Sequence, residues 1–477
     1  MRTANFFLRV LAAAAMAHGA AHAVNLSADG KGQVLVYPFM TTREDASGNA
    51  WQTYLSVANH GNEAKALRIR VREGINGRET ASFNLFLSAH DVWTGALIPS
   101  DATAGAPARI LTADSSCIDP PIPAAGIALS NAAYSGANAD GYPAGLERTR
   151  EGFLEVIEMA TFTPASATAI AVTHVNGIPP SGCAYVRNDA DVLRDARAPT
   201  GGLSGTLTLI NVNAGMDIAV NAVALGDLAS APFYRNYRDA YPGFSAAEVL
   251  PVSHLMANGR AYDLRWASGV DAVTSVFMSS VVSNEYILDT GTASRSDWVV
   301  TFPTRAYMPG SARPFVSATY HLLHEYFDRD GALRTEAPGE NCSFAPTGAP
   351  CPPVEIRAAG AFPVAHRGAQ ATSLLGSQYG MRLGEVAGFT SGWMRLRVAD
   401  GPGDFGRLRS EAGSTMTELS TGAATTGRFE LRGLPWTGFA VRTFSNGTLA
   451  CNTGACQGNY GGSFEHSYAR SIELVAP

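Results

Sequence analysis

Apolar and charged residues alternate one for one along several stretches of the chain. Leu67-Arg68-Ile69-Arg70-Val71-Arg72 does so, as do Met394-Arg395-Leu396-Arg397-Val398 and Arg428-Phe429-Glu430-Leu431-Arg432. A period of two sends successive side chains to opposite faces, so each stretch reads as a strand with one buried and one wet face. Shorter apolar runs predict further strands at 33–39, 52–58, 81–87, 92–98, 153–159, 168–175, 205–212, 217–224, 273–282, 297–302 and 438–443. Turn formers such as Asn59-His60-Gly61-Asn62 and Asn76-Gly77 stand between them. Helical spacing is scarce, with 246–258 and 320–327 the two candidates. The fold class expected is mainly β: two antiparallel β-sandwich, Ig-like units with long loops and few helices.

Two regions share a grammar. Residues 52–98 run strand, Asn-Gly turn, alternating strand, strand. Residues 392–443 open on Gly392-Trp393-Met394 and lead to Gly433-Leu434-Pro435 and Gly438-Phe439-Ala440-Val441. Gly152-Phe153-Leu154-Glu155-Val156 takes the Gly-Trp role in the first half. Both phrases resemble those of secreted bacterial sandwich modules. The division expected is a signal peptide at 1–23, an N-terminal unit at 24–235 and a C-terminal unit at 236–477, with strand exchange between the units left open.

Longer phrases run from end to end: Gly32-Gln33-Val34-Leu35-Val36-Tyr37-Pro38, Arg150-Glu151-Gly152-Phe153-Leu154-Glu155-Val156-Ile157-Glu158-Met159, Asn284-Glu285-Tyr286-Ile287-Leu288-Asp289, Asp297-Trp298-Val299-Val300-Thr301-Phe302-Pro303-Thr304 and Asn459-Tyr460-Gly461-Gly462. In these the chain resembles a family of exported proteobacterial proteins with no assigned activity. The resemblance implies export and brings no chemistry with it.

The first residues agree with export. Arg2 and Arg9 flank a basic start, 10–17 is apolar, and Ala21-His22-Ala23 is a small-x-small cleavage site that would leave Val24 first. The address expected is periplasm, cell surface or medium. In that oxidising setting an even set of cysteines reads as disulfides. Cys451 and Cys456 flank a tight turn, Cys342 and Cys351 enclose a Pro- and Gly-containing loop, and Cys117 is left for Cys183.

Composition then removes whole classes of function. The formal charge is −6, and losing Arg2 and Arg9 with the leader takes it to about −8. No basic stretch marks nucleic-acid binding. Beyond the leader no apolar run approaches the ~18 residues of a membrane helix. All basic residues but Lys31 and Lys65 are arginine, which leaves little for a Lys–Asn isopeptide staple.

Chemistry-bearing motifs are few, and each has a plainer explanation. Leu434-Pro435-Trp436-Thr437-Gly438 fits the sortase pentapeptide but lacks the hydrophobic span and basic tail that sorting needs; a Trp buried beside a turn accounts for it. His321-Leu322-Leu323-His324-Glu325 follows neither zinc order, and on a strand its histidines point apart. Asp328-Arg329-Asp330-Gly331 starts as a calcium loop starts, yet Glu336 falls at the ninth position rather than the twelfth; a β-turn suffices, and calcium is the one cofactor left open. Hydrolase elbows, P-loops and dinucleotide fingerprints are absent. The segment 233–244 gathers Tyr234, Tyr237 and Tyr241 among arginines, residue types favoured at contact hot spots. It reads as a plug between the units or as a partner or glycan contact.

The function expected is therefore a non-enzymatic exported β-sandwich protein acting by surface contact, as an adhesive, matrix or envelope component. Its partners would be itself, envelope proteins or glycans. The alternatives are a secreted or periplasmic hydrolase on glycans or esters, and a carbohydrate-binding protein.

Overall fold

The computed structural model describes residues 22–475 except 102, 104, 240–242, 247–250, 309–313, 316–321, 337–355, 367–368, 370, 381–384, 387, 399–404 and 452–453. The chain is mainly β, with three short α-helices among the described residues. Its largest sheet has thirteen strands. One side is drawn from the first half of the chain and runs from Val223–Gly226 through Val34–Thr41, Glu151–Phe162, Ala64–Glu73 and Glu79–Leu87 to Cys117–Asp119. The other side comes from the second half and begins with Val252–Ala257 and Arg260–Arg265. Between them lies the strand Ala23–Leu26, antiparallel to Val223–Gly226 and parallel to Val252–Ala257. The sheet thus crosses the boundary expected at 235.

Three smaller sheets matter for the surface. A six-stranded sheet is centred on Gln52–Asn59 and Leu203–Asn211. One five-stranded sheet holds Leu322–Asp328, Ser391–Val398 and Val281–Ile287; another holds Arg295–Thr301, Thr437–Cys451 and Gly454–Glu465. The halves share cores as well as strands. One cluster joins Val34, Phe153 and Leu225 to Trp298, Leu396 and Trp436. Another joins Leu55, Trp93 and Leu207 to Val299, Ala361 and Phe439. Residues 372–378 strap the halves together: Trp51 Nε1 donates to the Leu374 carbonyl at 3.0 Å and Gln378 N donates to Glu151 at 2.9 Å.

The alternating stretch at 67–72 does not have the wet face its pattern predicts. Ala64–Glu73 is a central strand, paired on both edges, and loops cover its charged face. Arg68 and Arg72 are buried, as is Lys65. Countercharges for Lys65 and Arg72 stand on the neighbouring strand, at Glu158 and Glu155, while Arg68 donates to Asn84 Oδ1. Lys65 Nζ lies 2.7 Å from Glu158, and Arg72 Nε lies 2.7 Å from Glu155. Arg148 meets Glu73 and Asp140 in the same layer. Two later stretches keep arginines partly wet around one buried acid: Arg395 and Arg397 around Glu325, and Arg407, Arg409 and Arg432 around Glu430.

Four segments depart from the expected element. The run at 168–175 is the helix Ala167–Val172, started by Ser166, whose side chain accepts from Ala169 N. The run at 273–282 begins as the helix Gly269–Phe277, capped by Ser268. Its buried Ala272, Val273, Val276 and Phe277 recur at helical spacing. Conversely, the helix expected at 246–258 contains the strand Val252–Ala257, and that at 320–327 overlaps the strand Leu322–Asp328. Edge pairing decides both, since each lies between two partner strands.

Candidate functional site

The residues singled out by the sequence reading fall in several places. Tyr234 is 1% exposed, packs against Phe86, and its hydroxyl donates to Asp189 at 3.2 Å. Burial holds its phenol well above the usual range. Arg68 donates to the carbonyls of Arg235 and Asn236, so this loop is tied onto the buried charge layer. Tyr234 therefore presents no contact face. Tyr237 is half-buried beside Arg238, and Tyr241 lies outside the described residues.

Cys117 and Cys183 form a disulfide with Cα atoms 5.1 Å apart. Cys342 and Cys351 lie outside the described residues. Cys451 and Cys456 sit on facing arms of one hairpin, where Cys451 pairs with Gly454 and Cys456 with Leu449; their side chains are outside the description.

The metal motifs resolve into strand and turn. His324 is buried on Leu322–Asp328 next to Tyr326, and His321 lies outside the described residues. Asp328 Oδ1 accepts from the backbone of Asp330 and Ala332, closing a tight turn between strands. Among the described residues no group of three or more His, Cys, Asp or Glu could hold a metal ion. In the sortase-like pentapeptide, Leu434 and Trp436 are buried, and Trp436 Nε1 donates to Ser279 O at 2.7 Å.

An open groove of about 600 Å³ lies where the two five-stranded sheets meet. Its floor is the strand Val281–Ile287, and one wall is the end of Gly454–Glu465. Strand register builds it. Glu285, Trp393 and Phe327 are direct neighbours across three strands. Trp393 and Phe327 stack at 4.0 Å with planes 8° apart, so Phe327 fixes the indole while Trp393 keeps 36% of its surface exposed.

On the opposite wall the Arg442 guanidinium lies 3.5 Å from the centre of the Phe464 ring. It also donates to Glu285, linking the two walls. Phe464 stays 40% exposed. Ser283 and Ser467 face each other in register, and Glu465 completes the polar lining.

Asn284 sets the floor. Its amide nitrogen donates to the carbonyls of Phe464 and Glu465 at 3.0 Å each. It stands 3.0 Å from His466 Nδ1, while His466 Nε2 is 2.9 Å from Val299 O. The carbonyl can only accept, so Nε2 carries the proton and Nδ1 is an acceptor facing the Asn284 amide, whose two protons are shared among three acceptors. Burial pushes His466 down to about 4, and the imidazole is neutral. It orders the wall from behind.

The sequence reading did not assemble this site. Its members come from 283–285, 393, 442 and 463–467, which only the sheets bring together. One signal was present: in Ser463-Phe464-Glu465-His466-Ser467 an aromatic residue interrupts a polar run.

Neither the known protein-family models nor the curated proteins contain a match to this chain.

Proposed function

We propose that this is an exported, sandwich-like β-protein that acts by surface contact, and that its contact site is the groove, which binds glycans without cleaving them. The observation that carries the reading is the pairing of a rigidly backed, exposed indole with hydroxyl, carboxylate and guanidinium groups around one open trough. Pyranose rings present an apolar C–H face and a polar rim. A flat aromatic face takes the first, and a few fixed polar groups take the second.

The groove also holds two carboxylates, the number glycoside hydrolysis uses. Their setting supports binding over hydrolysis. Glu285 is 65% exposed and held by Arg442, and Glu465 is exposed. A general acid is kept protonated by desolvation, which an open trough does not supply.

A glycan array with the purified protein, followed by calorimetry on the best ligand, tests the reading. Trp393→Ala and Phe464→Ala should each weaken binding about tenfold or more, near 1.4 kcal/mol. Both side chains are partly exposed, so both variants should keep the wild-type circular dichroism. No glycan bound by the wild type, or Trp393→Ala binding as well as wild type, refutes it.

A further inference from the structure

The geometry points to a second site, a serine acyl-transfer centre in which Ser115, His174 and Asp91 together hydrolyse small carboxylic esters. None of the three lines the groove, so the inference goes beyond the glycan reading and does not rest on it. They come from three segments of the first half: the turn before Val92–Pro99, the loop before Cys117–Asp119 and the loop after the helix Ala167–Val172. The Cys117–Cys183 disulfide ties the second of these to the chain just beyond the third.

The contacts follow the order of nucleophile, base and orienting acid. Ser115 Oγ stands 3.3 Å from His174 Nε2, and Asp91 Oδ2 stands 3.3 Å from Nδ1 of the same ring. Nδ1 is buried and otherwise without a partner among the described residues. Its proton therefore belongs with Asp91, and Nε2 is left to accept from Ser115. The Nδ1 contact is long for a hydrogen bond, as such contacts are before substrate binds. Asp91 is fixed independently of the ring. Its Oδ2 accepts from Ser88 N and Ser88 Oγ at 3.0 Å each, and its Oδ1 accepts from Val92 N at 2.9 Å. Asp114 Oδ1 accepts from Ser116 N at 2.8 Å and from Ser116 Oγ at 2.7 Å, which closes a turn around Ser115. Ser116 is buried and Ser115 exposed, so the nucleophile faces solvent. Next to the base, Val175 and Ile178 pair with each other and stay 58% and 64% exposed, an apolar surface for an acyl group.

Ser115 Oγ attacks the acyl carbon while its proton passes to His174 Nε2. The C–O bond to the alcohol breaks, and that proton leaves with the alcohol. Water then gives a proton to Nε2 and its oxygen to the acyl carbon. The acyl–Ser115 bond breaks, the proton returns to Ser115 Oγ, and the acid is released. Asp91 orients the ring and stabilises the imidazolium. The Ser116 N–H is taken up by Asp114 and cannot serve the oxyanion, so esters with good leaving groups are the class expected.

The experiment is labelling of the purified full chain with a fluorophosphonate probe, read by intact mass and peptide mapping, beside release of p-nitrophenol from p-nitrophenyl acetate. The wild type should take up a single label, on Ser115. Ser115→Ala, at an exposed position, should keep the wild-type circular dichroism, take up no label and lose the ester activity. His174→Ala should slow labelling by about a hundredfold or more, because the base is gone. Asp91→Asn should lower kcat by about tenfold or more with KM unchanged, which marks a positioning residue rather than a structural one. No groove residue is touched, so this reading and the glycan reading can each fail alone. A wild type that takes no label at Ser115, or His174→Ala labelled at the wild-type rate, overturns the inference; an unchanged kcat in Asp91→Asn removes Asp91 from the centre.

Discussion

Two buried titratable groups flank Trp298, and they oppose each other in pH. Asp297 is fully buried; its carboxylate accepts from Ser373 Oγ at 2.5 Å, and burial raises it from 3.8 to about 6. The His466 ring lies 4.7 Å from that of Trp298, and burial lowers it from 6.5 to about 4. For Asp297 the folded state holds the proton more tightly than the unfolded chain. Its stabilising contribution is complete below pH 3.8 and is lost as pH rises through about 6. For His466 the folded state favours the neutral ring. That contribution is complete above pH 6.5 and is lost as pH falls through about 4. Each tenfold change in proton affinity corresponds to about 1.4 kcal/mol, so each group contributes roughly 3 kcal/mol across its window. The two nearly cancel between pH 4 and 6. Urea unfolding followed by tryptophan fluorescence at pH 4, 5, 6 and 7 separates them. Asp297→Asn keeps the acceptor for Ser373 and cannot ionise. Relative to this variant, wild-type stability should fall by about 3 kcal/mol from pH 4 to 7. Relative to His466→Asn it should rise by about the same amount. A wild-type-minus-variant difference independent of pH in either case refutes the reasoning.

Other substitutions test the frame of the molecule. Glu158→Gln leaves Lys65 buried without its countercharge and should cost about 3–5 kcal/mol by urea denaturation, whereas Lys65→Met with Glu158→Leu should recover most of the loss. Arg470 donates to the Val276 and Met278 carbonyls at the end of the helix Gly269–Phe277; Arg470→Met should lower stability by about 2 kcal/mol through those lost bonds. An added Cβ at Gly152 would stand 1.9 Å from Arg72 O, so Gly152→Ala should destabilise by about 1–3 kcal/mol or more and lower the melting temperature. Cys117→Ser with Cys183→Ser should cost about 2–4 kcal/mol, read as a lowered urea midpoint that reductant no longer shifts.

Period-two alternation reported strand existence well, because a strand's two faces are written locally. Gln52–Asn59, Val92–Pro99 and Arg295–Thr301 lie within a residue or two of the expected bounds. What alternation could not report is which face is wet. Arg68 and Arg72 carry the same pattern as Arg395 and Arg397, yet the first pair is buried and the second half-exposed. The difference lies in what covers the sheet, and that cover comes from residues up to 237 positions away, such as Tyr307 on Arg70. Helix caps were legible and outweighed by the apolar runs behind them: Ser268 with Asp271 marks the start of Gly269–Phe277.

The groove was illegible for a related reason. A binding surface on a sheet is a row across strands, and neighbours in that row are far apart in sequence. Glu285, Trp393 and Phe327 become adjacent only once two registers are set. A one-residue slip in either of them would send one member to the other face. Register here is held by what lies behind the groove: Tyr286, Met394 and Tyr326 occupy the alternate positions of the same strands and are all buried in one core. The exposed row is therefore placed by the buried one, and the site's rigidity comes from packing behind it as well as from contacts among its own side chains. It follows that Met394→Ala, which touches no groove surface, should loosen the Trp393–Phe327 stack. Glycan affinity should then fall while the groove's own residues stay intact, and unchanged affinity in a destabilised Met394→Ala protein would show that the stack holds itself.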